Sequence, residues 1–192
     1  MTDLELLARL VFAEGTSTGF ADSAECRDLG PSIFQAIAWG VMNRVRLAEV
    51  SASAAKRYGR GVRGVIFKPG QFNPAISGHS RFAKLFACPS GDAAAFTHWE
   101  TARAAARTAT GDPSENPFLL TDWEKRHRLS LVTYFYYPKS PLATATPPAW
   151  ADTRSGSRTW VRNPRVGGRE LGEQCIWFFR RESPPAPGPR GG

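Results

Sequence analysis

Cysteine is scarce in this chain, and long apolar runs are missing altogether. Three cysteines, Cys26, Cys88 and Cys175, are too few and too far apart to form a disulfide framework, and no CxxC or HExxH spacing offers a metal its ligands. They leave room for one disulfide and one thiol should the protein work outside the cytoplasm. No apolar stretch approaches the length that crosses a bilayer, which excludes a helical membrane span. The N-terminus Met1-Thr2-Asp3-Leu4-Glu5 has no basic region, apolar core or small-residue cleavage site, so no signal peptide is expected. Acidic residues are also in deficit: 17 against 25 lysines and arginines leave a net charge of +8. That excess favours a polyanionic partner such as nucleic acid, an anionic surface or a carboxylate-rich cell wall. The cations are scattered, from Arg44, Arg46 and Lys56 to Lys125, Arg126 and Arg128, and no zinc-finger or RNA-recognition motif accompanies them. Nucleic acid is therefore not the expected partner.

What is present is the pattern of one mainly helical domain over residues 1–182, followed by a low-complexity Pro/Gly tail over 183–192 that is expected to be disordered. No internal repeat is visible. A first helix ends at Glu14, stopped by Gly15. The polar segment Gly15 to Gly30 reads as a loop. Ser32, with Pro31 before it and Gln35 three residues on, is the expected N-cap of a second helix over Ile33–Glu49, whose apolar face is Phe34, Ile37, Ala38, Val41 and Val45. A third helix over Asp92–Thr110 is capped by Asp92, packs through Phe96, Trp99, Ala102 and Ala106, and stops at Gly111-Asp112-Pro113. Two segments of strand composition, 132–138 and 174–179, are expected to pair. Gly59, Gly61 and Gly64 spell GxGxxG, but no strand precedes them and no βαβ unit surrounds them, so a dinucleotide site is excluded.

The residue that carries chemistry is Glu14. Leu4, Leu7, Val11 and Glu14 are spaced three, four and three apart, so on a helix all four lie on one face, the face that packs inward. Burial and the partial negative charge at a helix C-terminus both disfavour the carboxylate, which predicts a raised pKa and a general acid. The competing reading is a partly exposed glutamate at a frayed helix end, paired with Arg9 or Arg44.

Four blocks in order, Leu-Ala-Arg-Leu-Val-Phe-Ala-Glu (7–14), Gln-Ala-Ile-Ala-Trp-Gly-Val-Met-Asn-Arg-Val (35–45), Val-Ile-Phe-Lys-Pro-Gly-Gln-Phe (65–72) and Thr-Tyr-Phe-Tyr-Tyr-Pro (133–138), resemble the SleB-type cell-wall hydrolases, the family of the spore-cortex-lytic enzyme. The resemblance covers most of residues 6–180. It implies an α+β, mainly α-helical single domain of lysozyme-like fold, of the goose-type or lytic transglycosylase kind. The implied activity is cleavage of the peptidoglycan glycan strand without a cofactor, by a lytic transglycosylase or an N-acetylmuramidase. Glu14 would be its general acid and base, and Gln71 would line the cleft and bond the sugar. Tyr134, Tyr136, Tyr137, Phe72 and Asn73 are the accompanying candidates for saccharide contact. Strand alternation sends Tyr134 and Tyr136 to one face and Tyr137 to the other, and Tyr137 ranks first because it adjoins the loop-opening Pro138. Phe72 and Phe135 also suit the core.

The chain departs from the family at the inserted segment 15–31, where Asp22 or Glu25 would supply the second carboxylate of an inverting hydrolase. It departs again at Tyr137-Pro138, where the family has Tyr-Asn-Pro, and at Cys175, which stands where a histidine is usual. Without a signal peptide, an antibacterial effector carried by a secretion system or a phage lysis enzyme is expected, made in the cytoplasm and acting in the periplasm. An effector implies an acidic immunity protein as partner. Two alternatives come from other chemistry. One is a cysteine amidase with Cys26 or Cys88 as nucleophile and His79 or His98 as base. The other is a non-catalytic module that binds cell wall or nucleic acid through its basic surface.

Overall fold

The structure, a computed structural model, describes residues 1–76, 83–87, 93–138, 151 and 158–181. It is an α+β fold, mainly helical, with a small antiparallel sheet. The third helix's expected cap Asp92, together with Cys88, His79 and the tail from 183, lies outside the described residues.

Helix α1 spans Asp3–Ser17. Thr2 caps it by accepting the Glu5 N–H, and Asp3 and Glu5 place negative charge at its positive end. Leu7 and Val11 are fully buried, whereas Leu4, at 38 % exposure, lies at the solvent edge of the expected stripe. The helix does not stop at Gly15. It continues to Ser17 because hydroxyls take up its last carbonyls: Ser17 Oγ donates to Glu14 O at 2.7 Å and Thr18 Oγ1 to Gly15 O at 2.7 Å. Gly15 serves packing instead, since a Cβ there would sit 2.4 Å from Phe34 Cε1. The following segment is also more ordered than a loop reading suggests. It forms two 3-10 turns, Phe20–Asp22 and Arg27–Leu29, that bury Phe20 and Cys26.

Helix α2 spans Gly30–Val50 and is buried along most of its length. Pro31 fits its first turn because a helix start needs no N–H there. Ser32 lies inside the helix and does not cap it; no side-chain cap is made. Short helices α3 (Ala52–Tyr58) and α4 (Gly61–Ile66) meet at Gly59, whose φ of 91° and 2.1 Å approach of a Cβ to the Gly64 carbonyl demand glycine. The GxGxxG spacing is therefore a helix–helix corner. After α5 (Asn73–Ile76) and α6 (Ala83–Ala87), helix α7 (Ala93–Thr110) packs across α1 and α2. Ala102, Ala105, Ala106 and Ala109 face inward, and their small size lets the helices approach closely. Phe96 is not part of that face: it is 63 % exposed. Fully buried Phe12, Phe34 and Trp39 fill the space between these helices, each contributing about 1.5–3 kcal/mol of burial.

Helix α8 (Asp122–His127) begins with a Thr121–Glu124 capping box and leads into the sheet. Strand β1 (Val132–Tyr136) and β2 (Thr159–Val161) both pair antiparallel with β5 (Trp177–Arg180), in the order β1-β5-β2, with Tyr136 opposite Trp177 and Phe135 opposite Phe178. A separate ribbon joins β3 (Arg165–Val166) to β4 (Arg169–Glu170). Phe178 belongs to the helical core, while Phe179 and Tyr136 form a second cluster with Trp160, Trp177 and Ala151. Buried amides pin β1 to α2: Asn43 Nδ2 donates to Val132 O at 2.7 Å, and Asn43 Oδ1 accepts from Asn116 Nδ2 at 2.7 Å. Cys26 and Cys175 form a disulfide, which ties the turns after α1 to the turn before β5.

Candidate active site around Glu14

Among the described residues two carboxylates, Glu14 and Glu124, are buried, and their surroundings differ in kind. Glu124 is fully buried and saturated with donors. Its Oε2 accepts from the N–H groups of Leu120 and Thr121 and from the Thr121 hydroxyl, while its Oε1 accepts from Leu131 N–H at 2.8 Å. Arg180 approaches at 3.3 Å. Such a carboxylate is held by backbone, hydroxyl and arginine donors and ties α8 to the sheet.

Glu14 is 8 % exposed, and among the described residues its carboxylate accepts one hydrogen bond, from the Tyr137 hydroxyl at 2.5 Å from Oε2. Burial pushes its pKa up from 4.5 to about 7, against the opposing pull of the Tyr137 hydrogen bond and the Arg44 charge. It can therefore hold a proton near neutral pH and, having given it away, take another. Tyr137 is driven well above its ordinary range by burial, by the Glu14 charge and by the hydrogen bond it donates, so it stays a neutral donor. Ser17 hydrogen-bonds the same phenol, which fixes the ring from the turn that extends α1 past Gly15.

Arg44 is the part of the site that its sequence position underplays. Nine-tenths and more buried, it donates through Nε to Thr133 O at 2.6 Å and through Nη1 to Gln71 Oε1 at 2.7 Å. Its guanidinium lies 4.6 Å from the Phe72 ring centre and within 5.9 Å of the rings of Tyr58, Tyr134 and Phe135. No ion pair within 4.0 Å joins it to Glu14 among the described residues, but its charge reaches that carboxylate. Arg9, the other partner considered for Glu14, pairs instead with Glu5 and reaches the carbonyls of Phe86 and Ala87. Because an arginine only donates, the Gln71 amide must turn its oxygen to Arg44 and keep its two N–H donors for another group.

The remaining candidates separate. Phe72, 2 % exposed, stacks on Phe135 in the core and supports Arg44 rather than facing solvent. Asn73 is exposed at the start of α5. Tyr134 lies against Arg44 and Tyr58, and Tyr136 is buried beside Trp177 in the second cluster, against which Tyr134 also packs, in keeping with the expected shared face of the two tyrosines. Asp22 and Glu25 are exposed, and neither is among the groups that act on Glu14. Cys26 is bound to Cys175, so it is no free thiol, and His98 packs against the rings of Phe20 and Phe34. The Cys26 nucleophile is thereby excluded. Among the described residues no group of histidine, cysteine and acidic side chains is placed to hold a metal, and no helix is long and apolar enough to cross a membrane.

Compared with protein-family models, curated proteins and solved structures, the chain finds no match. The site therefore rests on its own geometry. Arg44 was discoverable by the same spacing that marks Glu14: Ile37, Val41 and Arg44 repeat the four-and-three interval of Leu7, Val11 and Glu14. Ser17 and Tyr58 carry no comparable signal.

Proposed function

We propose that the protein cleaves the glycan strand of peptidoglycan, with Glu14 as general acid and then general base, on a lysozyme-like helical scaffold. One observation carries this reading: each of the four sequence blocks contributes a side chain to a single cluster. Glu14 comes from the first, Arg44 from the second, Gln71 from the third and Tyr137 from the fourth, linked by the Tyr137–Glu14 and Arg44–Gln71 hydrogen bonds and the Arg44 field at Glu14.

In the reaction, protonated Glu14 gives its proton to the glycosidic oxygen while the C1–O bond breaks, its electron pair staying on that oxygen. The carboxylate left behind is tolerated by Tyr137 and Arg44 and removes the proton from the incoming hydroxyl. With Asp22 and Glu25 exposed and, among the described residues, no second carboxylate acting on Glu14, the single-carboxylate route is favoured, in which the sugar's own C6 hydroxyl attacks and an anhydro end results. The Cys26–Cys175 bond suits an oxidising compartment such as the periplasm.

Digestion of purified sacculi by wild type and Glu14→Gln tests the proposal, with the products read by mass spectrometry. Wild type is expected to release anhydro-muramyl ends and E14Q to lose at least about a hundredfold in rate, the usual scale of a general acid. Full activity in E14Q sinks the reading. Reducing ends from an active wild type would replace the transglycosylase step with hydrolysis.

A further inference from the structure

The hydrogen bond between Arg44 and Gln71 joins a buried side chain to a half-buried one. Gln71 is placed by its backbone. The turn that follows α4 closes with the Gln71 N–H donating to Lys68 O at 3.1 Å, through Gly70, whose φ of 77° is a left-handed conformation that glycine adopts without strain. Phe72, the next residue, is buried and holds this turn against the core. That anchoring leaves the direction of the amide open, because the two ends of a primary amide have nearly the same shape and opposite hydrogen-bonding character.

Arg44 settles the direction. Its fork is fixed at one prong by Thr133 O, 2.6 Å from Nε, and across its face by the Phe72 ring. The other prong, Nη1, meets Gln71 Oε1 at 2.7 Å. A guanidinium cannot accept, so turning the amide over would set N–H against N–H. What Gln71 offers beyond Arg44 is therefore a pair of donors. The same arginine acts on the acid. Burial raises Glu14, and the Tyr137 hydrogen bond and the Arg44 charge pull it back. Arg44 itself is disfavoured as a cation by burial and by Arg158, and favoured by Tyr58, Tyr134 and Glu14.

We infer that Arg44 is a positioning residue that locks the Gln71 amide with its oxygen inward and its N–H donors outward, so that the site selects a hydrogen-bond acceptor, a carbonyl or hydroxyl oxygen of the glycan. The glycan as ligand rests on the glycan-cleaving reading; the polarity of the amide does not.

Gln71→Glu separates contact from polarity, since a carboxylate keeps Arg44 as its partner but turns the outward donors into an acceptor. Binding is measured on an E14Q background, where nothing is cleaved, by equilibrium dialysis with a tetrasaccharide of alternating N-acetylglucosamine and N-acetylmuramic acid. Adding Q71E should weaken binding about tenfold, the scale of one lost hydrogen bond, without lowering the melting temperature. Arg44→Met should weaken it as much, and R44M with Q71A should bind no worse than Q71A alone, because the two side chains act as one unit. With Glu14 restored, its carboxyl is titrated by isotope-edited NMR. R44M should move the midpoint upward from about 7, whereas Arg44→Lys, which keeps the charge and loses the fork, should leave the midpoint in place and still weaken glycan binding. A merely structural arginine would not separate these readouts. Equal affinity in Q71E and its parent overturns the inference, and so do additive losses in R44M with Q71A or a Glu14 midpoint unmoved by R44M. If R44M does not fold, R44K and Q71E decide. A tetrasaccharide that E14Q does not bind at all removes the glycan reading and the ligand named with it, while an unmoved Glu14 midpoint removes only the role of Arg44, so the two failures are distinguishable.

Discussion

A glutamate with a folded pKa of about 7 against an ordinary 4.5 is a cost to the fold above neutral pH, whatever it does as the proposed acid. Between those two values the folded protein holds a proton that the unfolded chain has released. Stability from this group is therefore complete below pH 4.5 and is lost as pH rises through about 7. Glutamine imitates the protonated acid and does not titrate. Glu14→Gln is accordingly expected to stabilise the protein at pH 8 by about 3 kcal/mol, with the difference vanishing below about pH 4. Urea melts of both proteins at the two pH values measure it, and an E14Q variant no more stable than wild type at the higher pH would contradict the buried, nearly unpaired carboxylate. Activity follows the same titration: the rate that needs the protonated acid should fall as pH rises through about 7. Glu124 makes the control, because its carboxylate is met by backbone and arginine donors; Glu124→Gln should destabilise, not stabilise.

The elements show which parts of the sequence speak for themselves. Helices α1, α2 and α7 and the pairing of β1 with β5 are legible because their apolar periodicity extends over many residues. Their ends are less legible. Gly15 reads as a stop signal, but glycine also appears where two helices must touch, and only the partner, Phe34, distinguishes the two uses. Phe96 reads as part of a packing face because Trp99 and Ala106 follow it in register, yet at that end of α7 it is 63 % exposed. The site was half legible for the same reason. An in-line charge marks Glu14, whereas Tyr137 meets it only because the chain returns 123 residues later. The Gly15 contact itself gives a test at this scale. Gly15→Ala would drive a methyl into the Phe34 ring, 2.4 Å from Cε1, inside a filled core. Overpacking of this kind costs about 1–3 kcal/mol. Because the shifted residue adjoins Glu14, thermal melts and sacculus digestion should fall together; a neutral Gly15→Ala would show that α1 and α2 separate freely at this crossing.

At the scale of the whole molecule, the disulfide connects the acid's surroundings to the far end of the chain. Cys26 and Cys175 are 149 residues apart in sequence. Cys26 anchors the turns that follow α1, and those turns carry Phe20, which packs edge to face on Phe34, the ring that in turn lies against Gly15 beside Glu14. At the other end Cys175 precedes β5, which pairs with β1, the strand that leads into Tyr137. The bond thus closes a loop containing Arg44, Gln71 and Tyr137, the partners of Glu14 but not Glu14 itself, and closing a loop of this length removes up to about 5 kcal/mol of unfolded-state entropy in the chain-entropy account. Reduction should lower the melting temperature by many degrees and lower activity in parallel, since both strands of support for Glu14 and Tyr137 pass through it. A Cys26→Ser/Cys175→Ser double variant should reproduce the reduced protein and be indifferent to reductant. If wild type keeps its melting temperature under reductant while thiol titration shows the bond open, the turns after α1 are held by Phe20 packing alone. The cross-link would then be dispensable for the acid whose partners Arg44, Gln71 and Tyr137 it encloses.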